Sequence, residues 1–223
     1  MALVFFDIDG TLTSAHVWGG LMAYFESQGK KQGVHRAYLA THYPLYFLRK
    51  AKLLSEYTFR YRWSADLGWY LRGETEASAA AIGDWVAQHY LEGTWHAPVL
   101  ARLQEHLQRG DTVILVSAAP QPLVAAIARH WGVPHAVGTR YALAAGRYTG
   151  RVIPPPVLNA QKRIQALAYL RSRGLPTDLH ESWAYADSIT DLALLEAAAH
   201  PVAVFPDKAL RSVAEQRGWE IIE

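Results

Sequence analysis

A chain of 223 residues, 51% hydrophobic and 19% charged, has the composition of a folded globular protein and suffices for one substantial core, or a core with a smaller unit appended. It holds no cysteine, which excludes disulfides, thiolate metal sites and cysteine nucleophiles. With a net charge of +2, no basic leader and no apolar run near the roughly 20 residues of a bilayer span, the expectation is a cytoplasmic protein with no nucleic-acid partner.

The first predicted strand, Leu-Val-Phe-Phe at 3–6, runs straight into two carboxylates, Asp7 and Asp9. Like charges at the end of a buried strand are disfavoured by repulsion and by desolvation, so their presence calls for a compensating partner. Residues 14–95 carry no clear strand signal and read as helices, with breaks at Gly33, Pro44 and Gly73. They hold 16 of the 26 aromatic residues, most of which are expected to pack among themselves, and the stretch 30–72 is +7 while the remainder sums to −5. His35 and His42 have no metal-ligand companions in the sequence and read as surface or core histidines.

Beyond this region the pattern alternates. A helix over 98–110 precedes a strand at 112–118, and a helix over 122–132 follows it. Glycines punctuate a hairpin at 144–152; a helix at 161–174, a strand at 183–187, a helix at 191–199 and a strand at 201–205 complete the chain. Short apolar strands separated by helices predict an α/β fold with a doubly wound (Rossmann-like) parallel sheet. The expected division is an α/β core of 1–13 and 96–223, interrupted by a helical domain at 14–95.

Ligands of such sheets bind at the carboxyl ends of the strands. Asp7, Asp9, Ser117 and Asp187 fall at those ends, with Asp191 four residues further on and Lys162 opening the helix after residue 161. Three carboxylates drawn into a small volume would repel unless a hard divalent cation neutralised them, and Mg²⁺ takes oxygen ligands of this kind. Asp7 could then stay ionised and attack phosphorus, while Lys162, Ser117 and the backbone N–H groups after Asp7 and Ser117 hold phosphoryl oxygens. Each residue alone has a plainer reading, as a helix cap or a solvated lysine, and the specificity lies in the set. Neither GxGxxG nor GxxxxGK[ST] occurs, which argues against a dinucleotide-binding or P-loop enzyme.

The segments "DIDGTLT", "VILVSAAP", "NAQKRIQAL" and "YADSITDLALLEAA" resemble, in order, the four motifs of the haloacid dehalogenase superfamily, most closely its phosphoserine-phosphatase-like subfamily IB. The resemblance implies a C1 cap at 14–95 and a Mg²⁺-dependent phosphatase acting on a small phosphomonoester through an aspartyl-phosphate on Asp7. By the same resemblance, Asp9 serves as acid and base and ligates Mg²⁺ through its backbone carbonyl, Asp187 ligates Mg²⁺, and Asp191 stands behind it. Thr11 and Gly10 would shape the nucleophile's loop, and Ser117, Ala118 and Lys162 would bind the phosphoryl group. Phosphotransfer from the same intermediate, or a non-catalytic phospho-ligand binder, are the alternatives. One departure is His16, where phosphoserine phosphatases usually place a glutamate that binds the substrate's ammonium; a neutral imidazole cannot replace it, which weakens the case for phosphoserine itself. Arg60, Arg62 and Arg72 are the cap residues expected to meet an anionic substrate. A less favoured reading lays "YPLYFLRKAKLL" on an anionic membrane surface as a peripheral contact.

Overall fold

A computed structural model describes residues 1–223. Six parallel strands form the sheet: β1 (Leu3–Phe6), β2 (Thr112–Pro120), β3 (His135–Thr139), β6 (Trp183–Ala186), β7 (His200–Val204) and β8 (Glu220–Ile222), in the order β3-β2-β1-β6-β7-β8. A separate antiparallel hairpin pairs β4 (Tyr141–Ala144) with β5 (Arg147–Val152). All four residues of β1 are buried, which is why the strand reads as a continuous apolar run without alternation.

From β1 the chain proceeds to β2 and β3 on one side, then returns to build β6, β7 and β8 on the other. That reversal makes the carboxyl end of β1 the switch point of the sheet. Phe6 lies opposite Leu115 and Tyr185, so Asp7, Ser117 and Asp187 emerge just past the paired residues of three adjacent strands.

Between β1 and β2 run α1 (Val17–Ser27), α2 (Gln32–Lys50), α3 (Glu56–Asp66), α4 (Gly68–Leu71), α5 (Glu76–Trp85) with a wider π-type turn at Val86–Tyr90, and α6 (Ala97–Gln108). The chain leaves and re-enters at one place: Thr13 pairs with Trp95, and the hydroxyls of Thr13 and Thr94 lie 2.6 Å apart. One apolar cluster joins Tyr38, Leu67, Tyr70 and Leu71 of this segment to Val113, Leu115 and Leu123 of the α/β part. The aromatic packing expected within 14–95 is present, Tyr38 lying edge-on to Trp63 and Tyr70 with ring centroids 5.3 and 5.6 Å apart. His42 is buried against the Tyr38 carbonyl and Asp66, and His35 meets the Tyr70 hydroxyl.

The remaining helices are α7 (Gln121–His130), α8 (Ala160–Ser172), α9 (Leu192–Leu195) and α10 (Lys208–Arg217). Several expectations need correction. Pro44 does not break a helix, because α2 runs through it from residue 32 to residue 50. Proline removes one N–H, but the Ala40 residue whose carbonyl loses its partner is exposed to water, while buried Tyr38 and His42 hold the helix from its other side. Gly33 sits inside the first turn of α2; the break lies just before it, where Lys31 has φ 56°. The hairpin begins at Tyr141, three residues ahead of its expected start, and strands β3 and β8 are additions to the expected set. No helix is long and apolar enough to cross a membrane.

Candidate active site

The loop after β1 folds back on itself, with the Gly10 N–H donating to the Thr13 carbonyl at 2.8 Å and Leu12 N–H to the Ile8 carbonyl at 2.9 Å. Asp7 is buried at its head, 3% exposed. Its Oδ1 accepts a 2.7 Å bond from Lys162 Nζ and its Oδ2 one of 3.2 Å from the Thr11 hydroxyl. Lys162, carried in by the first turn of α8, also donates to Asp191 Oδ2 at 2.7 Å and so bridges carboxylates from β1 and from the segment after β6. Burial works against its ammonium, but Asp191 and Asp7 outweigh that and hold the lysine above its usual range.

Asp7, Asp187 and Asp191 each present an oxygen within 4.8 Å of the others. Burial, with Asp7 next in weight, lifts Asp187 to about 8. Asp191 rises to about 6 through burial, tempered by Lys162 and reinforced by Asp7. One ammonium therefore leaves this carboxylate cluster under-neutralised. Asp191 Oδ1 is buried without a hydrogen-bond partner. Oxygen donors only, crowded together and short of positive charge, suit a hard cation such as Mg²⁺ and not a thiolate- or imidazole-seeking metal. Asp191, expected behind the metal, is itself a member of the three-carboxylate group.

Asp9 turns elsewhere. Its Oδ1 accepts the Val17 N–H at 2.6 Å, at the start of α1. Burial first, then the charge of Asp7, raise it to about 7 against the pull of that N–H. A carboxyl poised there holds or yields a proton near neutral pH, the property a general acid–base group needs.

Gly10 is required by contact. At φ +84° it faces Asp187, and a Cβ there would lie 2.1 Å from Asp187 Oδ2. Gly10→Ala should cost about 1–2 kcal/mol in backbone strain and displace the Asp187 carboxylate. Thermal melting checks this, and an unchanged melting temperature would show that the loop absorbs the added methyl.

Ser117 is buried, its hydroxyl accepting the Ala119 N–H at 3.1 Å, and the Ala118 carbonyl accepts from Ser64 of α3 at 3.0 Å and Thr139 at 2.8 Å. Ser64, Ser117 and Ala118 line one cavity of about 550 Å³ together with Asp7, Asp9, Lys162, Asp187 and Asp191, whereas Thr11 and Thr139 stand outside its lining. Its outer wall comes from 14–95: His16, exposed at the rim, stacks on Trp18, and Glu56 accepts bonds from both Arg49 (2.9 Å) and Arg60 (2.7 Å). Loss of solvent contact, then Arg60, hold the His16 imidazole below its usual range against the pull of Asp7. Arg62 and Arg72 are exposed and stand outside the lining, so of the three expected arginines only Arg60 reaches the cavity.

Trp18, Arg49, Glu56, Trp63, Asn159 and Asp207 also line the cavity, beyond the residues singled out by sequence. Asp207 is legible as the N-cap of α10, where its Oδ1 accepts the Leu210 N–H at 2.8 Å. Its Oδ2 holds the Ser188 hydroxyl and the Ile189 N–H, each at 2.9 Å, and its own N–H donates to the Asp187 carbonyl at 2.8 Å. Asp207 therefore fixes the loop that carries Asp187. Asp207→Ala should cost about 1–2 kcal/mol of stability, read by denaturant melts; an unmoved midpoint would mean that the loop carrying Asp187 holds without this residue.

A family model described as haloacid dehalogenase-like hydrolase matches residues 4–196. The chain belongs to that family. Among similar haloacid dehalogenase-like proteins, a phosphoserine phosphatase of Mycobacterium tuberculosis is 33% identical over 153 residues, 68% of this chain and 49% of that protein. A probable phosphatase of the same organism is 41% identical over 118 residues, 52% of this chain and 40% of its own. The chain thus spans about half the length, or less, of these curated relatives. A Bordetella pertussis structure of unknown function is similar over 100% of this chain and 98% of its own, at 26% identity and TM-score 0.81. The haloacid dehalogenase-like fold is shared with a phosphoserine phosphatase structure at TM-score 0.61 and 20% identity, covering 100% of this chain and 93% of that one.

Proposed function

We propose that this hydrolase is a Mg²⁺-dependent phosphatase that cleaves a small phosphomonoester through a phosphorylated Asp7. The observation that carries the reading is the Asp7–Lys162–Asp191 arrangement, closed by Asp187, at the switch point of the sheet. Asp7, Asp187 and Asp191, with the backbone carbonyl of Asp9, are the groups that would hold Mg²⁺, which supplies charge neutralisation around the transferring phosphoryl group.

In the first step an Asp7 carboxylate oxygen bonds to phosphorus as the ester P–O bond breaks, and protonated Asp9 delivers its proton to the departing alcohol oxygen. Ionised Asp9 then takes a proton from water, whose oxygen attacks phosphorus while the bond to Asp7 breaks, freeing phosphate and restoring both carboxyl groups. Lys162 and Ser117 bind the phosphoryl oxygens in both steps, helped by the backbone after Ser117. The 14–95 segment acts as a cap that encloses the cavity and keeps bulk water from the first step.

The substrate is a small phosphorylated metabolite, and a cytoplasmic setting goes with this reading. His16 supports a leaving group other than serine, since an imidazole offers no carboxylate for an ammonium. The test is p-nitrophenyl phosphate hydrolysis by chelator-treated protein before and after adding Mg²⁺. A metal-dependent rise of at least about 100-fold is expected. No release with Mg²⁺ or other divalent ions would contradict the assignment.

A further inference from the structure

The end of the α2–α3 pair carries a surface that the cavity does not use. Ten large hydrophobic side chains are exposed on the whole molecule, and five lie between residues 43 and 57: Tyr43, Phe47, Leu48, Leu53 and Tyr57. Phe47 is 61% exposed and Leu53 76%, values unusual for residues of this type in such close sequence. Tyr43, Phe47 and Lys50 follow one another at helical spacing on one side of α2, and Leu53 sits in the turn to α3.

The charge around this tip is one-sided. Lys50 and Lys52 are exposed and have no carboxylate partner, and neither do Arg36 and Arg62 further along the two helices. Only Glu56 and Asp66 are acidic between residues 30 and 72. Glu56 is held by Arg49 and Arg60, and Asp66 faces His42 at 3.3 Å. The apolar tip is thus flanked by two uncompensated lysines, Lys50 and Lys52.

We propose that this tip docks on an anionic lipid bilayer, with Phe47, Leu48 and Leu53 entering the headgroup boundary and Lys50 and Lys52 against lipid phosphates. Exposed aromatic and aliphatic side chains flanked by lysines match the two attractions such a surface offers. A second copy of the chain fits less well, because a two-fold contact through this tip would bring like charges together. The adjoining side of α2, through Tyr46 and Arg49, and Phe59 of α3 line the cavity, so docking sets the cavity beside the membrane. Docking of this kind is independent of the reaction assigned to Asp7.

Flotation of the full chain with vesicles tests it, comparing phosphatidylcholine alone with phosphatidylcholine mixed with phosphatidylglycerol. At least about tenfold more protein should float with the anionic vesicles, and the gain should shrink in high salt. The double variant Phe47→Ser/Leu53→Ser, and separately Lys52→Glu, should lose most of that binding while keeping the melting temperature and p-nitrophenyl phosphate hydrolysis of wild type. Equal flotation with both vesicle types, or none, overturns the proposal. So does a double variant that floats as well as wild type, or a wild-type dimer that the double variant converts to monomer.

Discussion

Asp7→Asn should abolish hydrolysis of p-nitrophenyl phosphate, with kcat falling by at least about three orders of magnitude while the protein stays folded. The amide keeps the size of the side chain, and its one oxygen can still accept from Lys162 while its NH2 donates to the Thr11 hydroxyl, but it is a poor nucleophile towards phosphorus. Its effect on stability should be small and of mixed sign. The substitution weakens a buried ion pair with Lys162, yet it also removes the charge that raises Asp9, Asp187 and Asp191 together. Circular dichroism and thermal melting separate an inactive folded variant from an unfolded one. Turnover within a few-fold of wild type would remove Asp7 from the chemistry.

The second large effect concerns Asp187, the carboxyl raised furthest, to about 8. In metal-free protein, Asp187→Asn should raise the melting temperature, because a neutral amide beside Asp7 and Asp191 relieves repulsion that the native side chain suffers. With the Mg²⁺ site proposed above, added Mg²⁺ should stabilise wild type, and the same variant should lose that gain and at least about 100-fold in turnover. The pH dependence follows from linkage. Burial first, then neighbouring carboxylate charge, push Asp191, Asp9 and Asp187 up to about 6, 7 and 8 in the folded protein, against the ordinary aspartate value of 3.8 in the unfolded chain. Between those limits the folded state keeps protons the unfolded chain has shed, so raising the pH removes stability. Metal-free wild type should melt higher near pH 5 than near pH 8, and Asp187→Asn should flatten that slope. A metal-free melting temperature that rises over this range would contradict the crowding of charge described here.

Much of the fold and of the inner site is legible in the amino-acid sequence, for specific reasons. The run 3–6 is apolar at every position because β1 is covered on both faces, and two carboxylates directly after it have no comfortable place except a site. Spacing alone puts Ser117, Lys162, Asp187 and Asp191 near strand ends or helix starts, where a doubly wound sheet gathers them. The strand β3 is hidden because its sequence, His-Ala-Val-Gly-Thr, mixes poor strand formers, and Gly138 is there to let the backbone pass within van der Waals range of Ala119 and Gln121. β8 is three residues long at the sheet edge, too short to leave a pattern.

The outer cavity is less legible because helix packing, not local sequence, decides which faces of α2 and α3 turn inward. Arg60 and Arg62 stand two residues apart and look alike in sequence, yet one lines the cavity and the other meets solvent. Arg49 and Glu56 flank a turn that brings them together across seven residues, a contact no periodicity announces. Asp207 carries a visible cap signal, but its grip on Ser188 and Ile189 depends on β7 lying beside β6.

Covalent capture at residue 7 probes the proposed chemistry most directly. Protein quenched in acid during turnover with Mg²⁺ and a phosphomonoester, then reduced with borohydride, should yield homoserine in place of Asp7 by peptide mass spectrometry, and none when substrate or Mg²⁺ is withheld. An unmodified Asp7 in protein that is demonstrably turning over, or reduction at a different carboxylate, would contradict the account.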